Sequence, residues 1–197
     1  MKDVIEKILR EGIEVKNEIL RDASLLDLIE KISSVIIKAY QNKKKVILFG
    51  NGGSAADAQH IAGELVNKLS FERKALPAIA LTTDTSVLTS IANDYDYSKV
   101  FARQVEALAE DGDVVIGIST SGNSASVLEG MRAARKKAYT VGFTGRGENK
   151  LSNIVDIALR VPSEDTPRIQ EAHIAILHII CCLIEKKLFG SRSEGQI

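Results

Sequence analysis

Hydrophobic positions change their spacing once along the chain, and the change divides it in two. Over residues 3–20, Val4, Ile8, Leu9, Ile13, Val15 and Ile19 fall near the three-to-four spacing of one helical face. Over 24–41, Leu25, Leu28, Ile29, Ile32, Val35 and Ile36 do the same, and Ser24 is placed to cap the start. The spacing predicts two amphipathic helices joined by a short polar link. From residue 45 onward the pattern becomes short continuous apolar runs, at 45–50 (KVILFG), 77–81 (PAIAL), 113–118 (DVVIGI), 139–143 (YTVGF) and 154–159 (IVDIAL). Runs of that length predict buried strands of a parallel sheet. Helical patterns separate most of them, at 54–68, 86–92 with 98–110, and 124–136, and a long helix over about 167–188 closes the pattern.

Strands alternating with helices predict an α/β fold of three layers. A five-stranded parallel sheet is flanked by helices on both faces and preceded by a helical extension. No internal repeat or low-complexity tract interrupts this. The chain reads as one domain, 1–197: an N-terminal helical extension over 1–44, an α/β core over 45–189 and a disordered tail over 190–197.

Composition narrows the function classes. With 26 basic and 26 acidic residues among 197, the formal net charge is zero, which argues against a nucleic-acid binder acting through a general basic field. No apolar run approaches the roughly 20 residues of a membrane helix. The opening MKDVIEKILREG alternates charge with hydrophobe, unlike a secretory signal. Cys181 and Cys182 are adjacent, so a strained disulfide is disfavoured against two reduced thiols in a cytoplasmic protein.

Ligands of open α/β sheets bind beyond the carboxyl ends of the strands, so function is read in the loops that follow them. After the first strand, Gly50-Asn51-Gly52-Gly53-Ser54 enters a helix directly. Its glycines let backbone N–H groups approach an anion, and the helix start adds a favourable dipole. It is neither a dinucleotide fingerprint nor a P-loop. After the third strand, Ser119-Thr120-Ser121-Gly122-Asn123-Ser124 puts four hydroxyls within six residues at another helix start, a cradle suited to a phosphate dianion. Turns and caps use the same residue types, but they need one or two of them, not four. His60 and Glu64 lie one turn apart on the helix after the first loop, an acceptable zinc half-site if a facing helix closes over them. On the last helix, Gln170 and His178 are separated by a rise of about 12 Å and point some 80° apart, so spacing alone assembles no metal site there. By spacing alone His178, between Leu177 and Ile179, reads as a satisfied core histidine.

The two loops, the leading helix pair and the final Arg168-Ile169-Gln170-Glu171-Ala172-His173 helix resemble the sugar isomerase (SIS) domain. Within that group the chain is similar to phosphoheptose isomerases over nearly its whole length. The resemblance implies a flavodoxin-like sheet and a homotetramer with active sites at subunit interfaces. It implies conversion of sedoheptulose 7-phosphate to D-glycero-D-manno-heptose 7-phosphate, the first step towards the ADP- or GDP-heptose precursors of lipopolysaccharide or surface glycans. It implies one zinc ion per subunit on His60, Glu64, Gln170 and His178. It implies sugar-phosphate binding by Asn51, Gly52, Gly53, Ser54, Glu64, Asn93, Asp94, Ser119, Thr120, Ser121, Ser124 and Gln170. Glu64 is then the catalytic base and His178 its acid–base partner, while His173 receives no role. Asn93 and Asp94 also suit a helix end and turn. One departure is Lys68, where many members carry arginine: the charge stays and the bidentate fork is lost. The alternative is a non-catalytic SIS-domain protein that regulates the replication initiator. Retention of both Glu64 and His178 separates the two readings in favour of the enzyme. A sugar-phosphate-sensing transcription regulator would need a helix-turn-helix domain, for which residues 1–44 are too short and too evenly charged.

Overall fold

The computed structural model describes residues 1–190, and of the tail expected over 190–197 all but Gly190 lies outside them. Two helices lead, α1 (Lys2–Arg21) and α2 (Ala23–Gln41). The break between them is set by Asp22, whose carboxylate accepts from the backbone N–H groups of Ser24 and Leu25 at 2.9 and 3.2 Å. Asp22, and not Ser24, is therefore the cap: its carboxylate is the stronger acceptor and draws the helix start back. The remaining elements are β1 (Val46–Gly50), α3 (Gly53–Val66), β2 (Ala78–Ala80), α4 (Thr85–Asp94), a 3₁₀ turn (Tyr97–Lys99), α5 (Val100–Leu108), β3 (Val114–Ile118), α6 (Ala125–Ala134), β4 (Tyr139–Thr144), β5 (Ile157–Arg160) and α7 (Thr166–Phe189).

All five strands pair in parallel, in the order β2-β1-β3-β4-β5. The continuous apolar runs divide by alternation. Val46 and Leu48 of β1 join a core with Ile32, Ile36, Ile61, Ile116 and Ile176 under α1, α2, α3 and α7. Ile47 and Phe49 join the opposite core with Phe101, Val115 and Met131 under α4, α5 and α6. Phe49 and Phe101 stack with ring centroids 4.9 Å apart. Gly117 admits the Met131 side chain, since a Cβ there would lie 2.7 Å from its sulfur.

Two strand expectations shift. The run at 77–81 reads as buried, yet β2 is a three-residue edge strand and Ile79 is exposed. The last strand starts at Ile157 rather than 154, because Asp156 turns back to accept from the backbone N–H and hydroxyl of Thr140, at 2.8 and 2.7 Å. Strand order reverses between β1 and β3, and the crevice between their carboxyl ends is where ligands of such sheets bind.

Candidate active site

The two predicted loops meet at that crevice. Asn51 follows β1 and donates through Nδ2 to the Oγ atoms of Ser124 and Ser126, at 2.8 and 2.9 Å, across 73 and 75 residues of sequence. Gly52 has φ +55°, a conformation open to glycine at little cost, and it turns the chain so that Gly53 and the buried Ser54 begin α3. In the second loop Gly122 also has positive φ, +62°, and the Asn149 side chain fills the space a Cβ would need. Ser119 is buried, Thr120 half-buried and Ser121 exposed. Ser124 is the N-cap of α6 but makes no side-chain capping bond, so the first N–H groups of that helix stay open to an anion.

α3 and α7 run side by side in the same direction, and three contacts along the seam define the site. At its start the Gln170 amide packs against Gly53, where a Cβ would collide with it. Two turns of α3 later, Nε2 of His60 lies 2.8 Å from Nε2 of His178 and 3.4 Å from Oε1 of Glu64. These three residues bring one ligand atom each to within 4.8 Å of one another. α7 is thus the facing helix that the His60–Glu64 pair required, and His178 points into the site rather than into the core. His173 is the core histidine: it is fully buried, its Nε2 lies 3.2 Å from the Thr144 carbonyl, and burial pushes its pKa down to about 4. Two imidazole nitrogens and a carboxylate suit zinc, whose tetrahedral ligands at about 2.0–2.2 Å stand about 3.3 Å apart, close to the spacing here. The Gln170 amide, packed against Gly53, lies seven residues before His60 on α3, a backbone rise of about 10 Å.

At the end of the seam is a group that sequence reasoning missed. Arg73 and Glu185 form an ion pair at 2.7 Å, with both side chains 1% exposed. Arg73 also donates to the carbonyls of Glu64 and Leu65, at 2.7 and 2.8 Å, closing the end of α3. Glu185 accepts from the backbone N–H groups of Leu69 and Ser70, at 2.8 and 2.9 Å. Burial opposes its charge, but these bonds and Arg73 outweigh it and hold the carboxyl below its ordinary pKa. Asp57, one turn before His60, was also missed: desolvation raises its carboxyl to about 6, partly countered by His60. Its only sequence signal is its place on the His60 helix face.

Asn93 and Asp94 end α4, where Asn93 donates to Asp94 at 2.9 Å. Asp94 borders a groove of about 600 Å³ between β2, α4 and α5. Lys68 is exposed and pairs with Glu72 rather than with a site residue. Cys181 is a buried free thiol, pushed up to about 12 by burial and by the nearby Glu64 and Glu185, and Cys182 is half-buried.

The SIS domain profile matches residues 13–145. The chain is 55% identical to the phosphoheptose isomerase of Clostridium acetobutylicum over 197 residues, covering 98% of this chain and 100% of the relative. It is 49% identical to that of Aneurinibacillus thermoaerophilus over 193 residues, covering 98% of each. The solved phosphoheptose isomerase of Neisseria gonorrhoeae superposes with a TM-score of 0.88 at 40% identity, covering 94% of this chain and 98% of that one. That of Francisella tularensis gives 0.88 at 36%, covering 93% and 97%. These likenesses span the helical extension, both loops and the α3–α7 seam together. The chain belongs to the SIS-domain family and, within it, to the phosphoheptose isomerases.

Proposed function

We propose that this chain interconverts sedoheptulose 7-phosphate and D-glycero-D-manno-heptose 7-phosphate. The observation that carries the reading is the convergence of His60, Glu64 and His178 beside two anion-ready loops. Ketose–aldose isomerisation moves a proton between C1 and C2 through a cis-enediol and exchanges another at the carbonyl oxygen. Glu64 takes the carbon proton, and His178 serves the oxygen. The Oε1 of Glu64 faces His60, and its second oxygen is the one proposed to take the proton. His60, Glu64 and His178 would hold one zinc ion, which when bound supplies Lewis-acid polarisation of the carbonyl. Gln170, whose amide packs against Gly53, takes the metal-binding and substrate roles that the resemblance gives it. Asn51, Gly52, Gly53, Ser54, Ser119, Thr120, Ser121 and Ser124 hold the phosphate end, whose binding energy fixes the reacting carbons in place.

The assembled unit in this reading is a homotetramer with sites at subunit interfaces. Val4, Ile5, Leu9 and Ile13 of α1 are exposed, as are Ile179 and Leu183 of α7 near the donor trio. That much open apolar surface fits burial against further copies of the chain. Asn93 and Asp94 then reach a sugar held partly by a neighbour. The whole chain acts as one domain, in the cytoplasm, supplying heptose for lipopolysaccharide or another surface glycan. Among the described residues no helix is long and apolar enough to cross a membrane. A non-catalytic regulator of replication would have no use for an assembled donor trio, so the enzyme is favoured. The test is aldose formation from sedoheptulose 7-phosphate by zinc-loaded protein, lost on chelation and restored by zinc. Zinc-loaded protein that makes no aldose would overturn the reading.

A further inference from the structure

We infer that Tyr97 is a positioning residue that sets the hydrogen-bond polarity of the phosphate cradle, turning Ser124 into an obligate donor. The inference rests on the phosphate reading of the β3–α6 loop. Tyr97 opens the 3₁₀ turn between α4 and α5, and its hydroxyl donates to Oδ1 of Asn51 at 2.8 Å. The turn is held at both ends. Asp96 caps it by accepting from the N–H of Ser98 at 2.8 Å, and Lys99 pairs with Glu129 of α6 at 2.7 Å. The phenol is therefore held over the β1 loop.

A carboxamide can face its neighbours in two ways, and its partners decide which. A phenol is a better donor than acceptor, so Tyr97 draws Oδ1 of Asn51 towards itself. Both Nδ2 protons then point at Ser124 and Ser126. Ser126 is buried, and its other partner is the Ser124 Oγ at 3.2 Å. Its own proton goes there. Ser124 Oγ now accepts from Asn51 and from Ser126, which fills both of its lone pairs. Its remaining proton must point out of the chain, at the mouth of the loop. A group that can only donate selects a ligand that can only accept, such as a phosphate dianion. With the carboxamide reversed, Oδ1 would draw in the serine protons, and the cradle would lose this donor.

Tyr97→Phe keeps the exposed ring and removes the proton that selects the orientation. The test measures inorganic phosphate as a competitive inhibitor, together with KM and kcat, in wild type, Tyr97→Phe, Ser124→Ala and the double variant. Tyr97→Phe should raise the phosphate inhibition constant and KM together, about 3- to 10-fold, with kcat within about twofold. Because Tyr97 acts through Ser124, the double variant should match Ser124→Ala within about twofold. An unchanged phosphate constant in Tyr97→Phe, or additive losses in the double variant, would overturn the inference while leaving the phosphate loop in place. Failure of phosphate to compete with wild type would remove the loop's phosphate reading, and the inference with it.

Discussion

The α3–α7 seam holds charged and titratable side chains at two places, and they are treated in opposite ways. Where Arg73 meets Glu185, both side chains are buried and each has several hydrogen-bond partners. Two turns of α7 earlier, Glu64 and His60 keep 22% and 49% of their side-chain surface exposed, and with His178 they face one another. Removing charges from water costs several kcal/mol each unless every donor and acceptor is matched, and the Arg73–Glu185 end meets that condition. At the other end, three electron-pair donors crowd together. The first arrangement holds two helices in register. The second offers a place for a ligand. Buried and matched charge marks architecture here, while half-open and convergent charge marks chemistry.

Substitutions at the two ends should therefore fail in different ways. Glu64→Gln keeps the shape and removes the base, so kcat/KM should fall at least about 10²- to 10⁴-fold with thermal unfolding nearly unchanged. A near-normal rate would strip Glu64 of its role. Glu185→Ala leaves Arg73 buried without its partner and should cost about 3–5 kcal/mol of stability in urea unfolding. If the loss were only a few tenths, the seam would not depend on this pair.

The two histidines of α7 sharpen the same contrast. His173 is buried and neutral, with its pKa lowered from 6.5 to about 4. The unfolded chain takes up that proton near pH 6.5 and the folded chain only near pH 4. Between those values the unfolded state binds more protons, so this contribution is complete above pH 6.5 and is lost as pH falls towards 4. The loss is about 1.4 kcal/mol per pH unit, on the order of 3 kcal/mol in all. His173→Gln keeps a donor for the Thr144 carbonyl but does not titrate, so its stability should fall less than wild type between pH 7 and pH 4.5. Equal falls would contradict the assignment. The smallest effect concerns the open end. Zinc at a hundred times its dissociation constant should stabilise wild type by about 2.7 kcal/mol, read as a rise in unfolding temperature. His60→Ala should show no such rise, whereas a variant at the matched end that still folds should keep it.

Much of this was legible in the chain. The switch from helical spacing to short apolar runs placed the helices and strands to within a few residues, because burial of one face or of both writes a different period. The two loops were legible as turns that follow strands and start helices, because glycine and small hydroxyl residues favour that place. His60 and Glu64 were legible as a pair because four residues make one helical turn. What lay beyond local spacing was not legible. Ser24 and Asp22 both cap well, and only the folded backbone chose the carboxylate. The run around Ile79 looks like a buried strand, but edge or centre is decided by which strands pair. Nothing local distinguishes His173 from His178; the packing direction of α7 sends one to the Thr144 carbonyl and the other to His60. The Arg73–Glu185 pair spans 112 residues, and the Asn51–Ser124 bond spans 73. The sequence by itself determined the elements and the chemical types, since those follow from neighbours a few residues away. Tertiary structure alone decided which donors share a point in space, because that depends on how distant helices lie across the sheet.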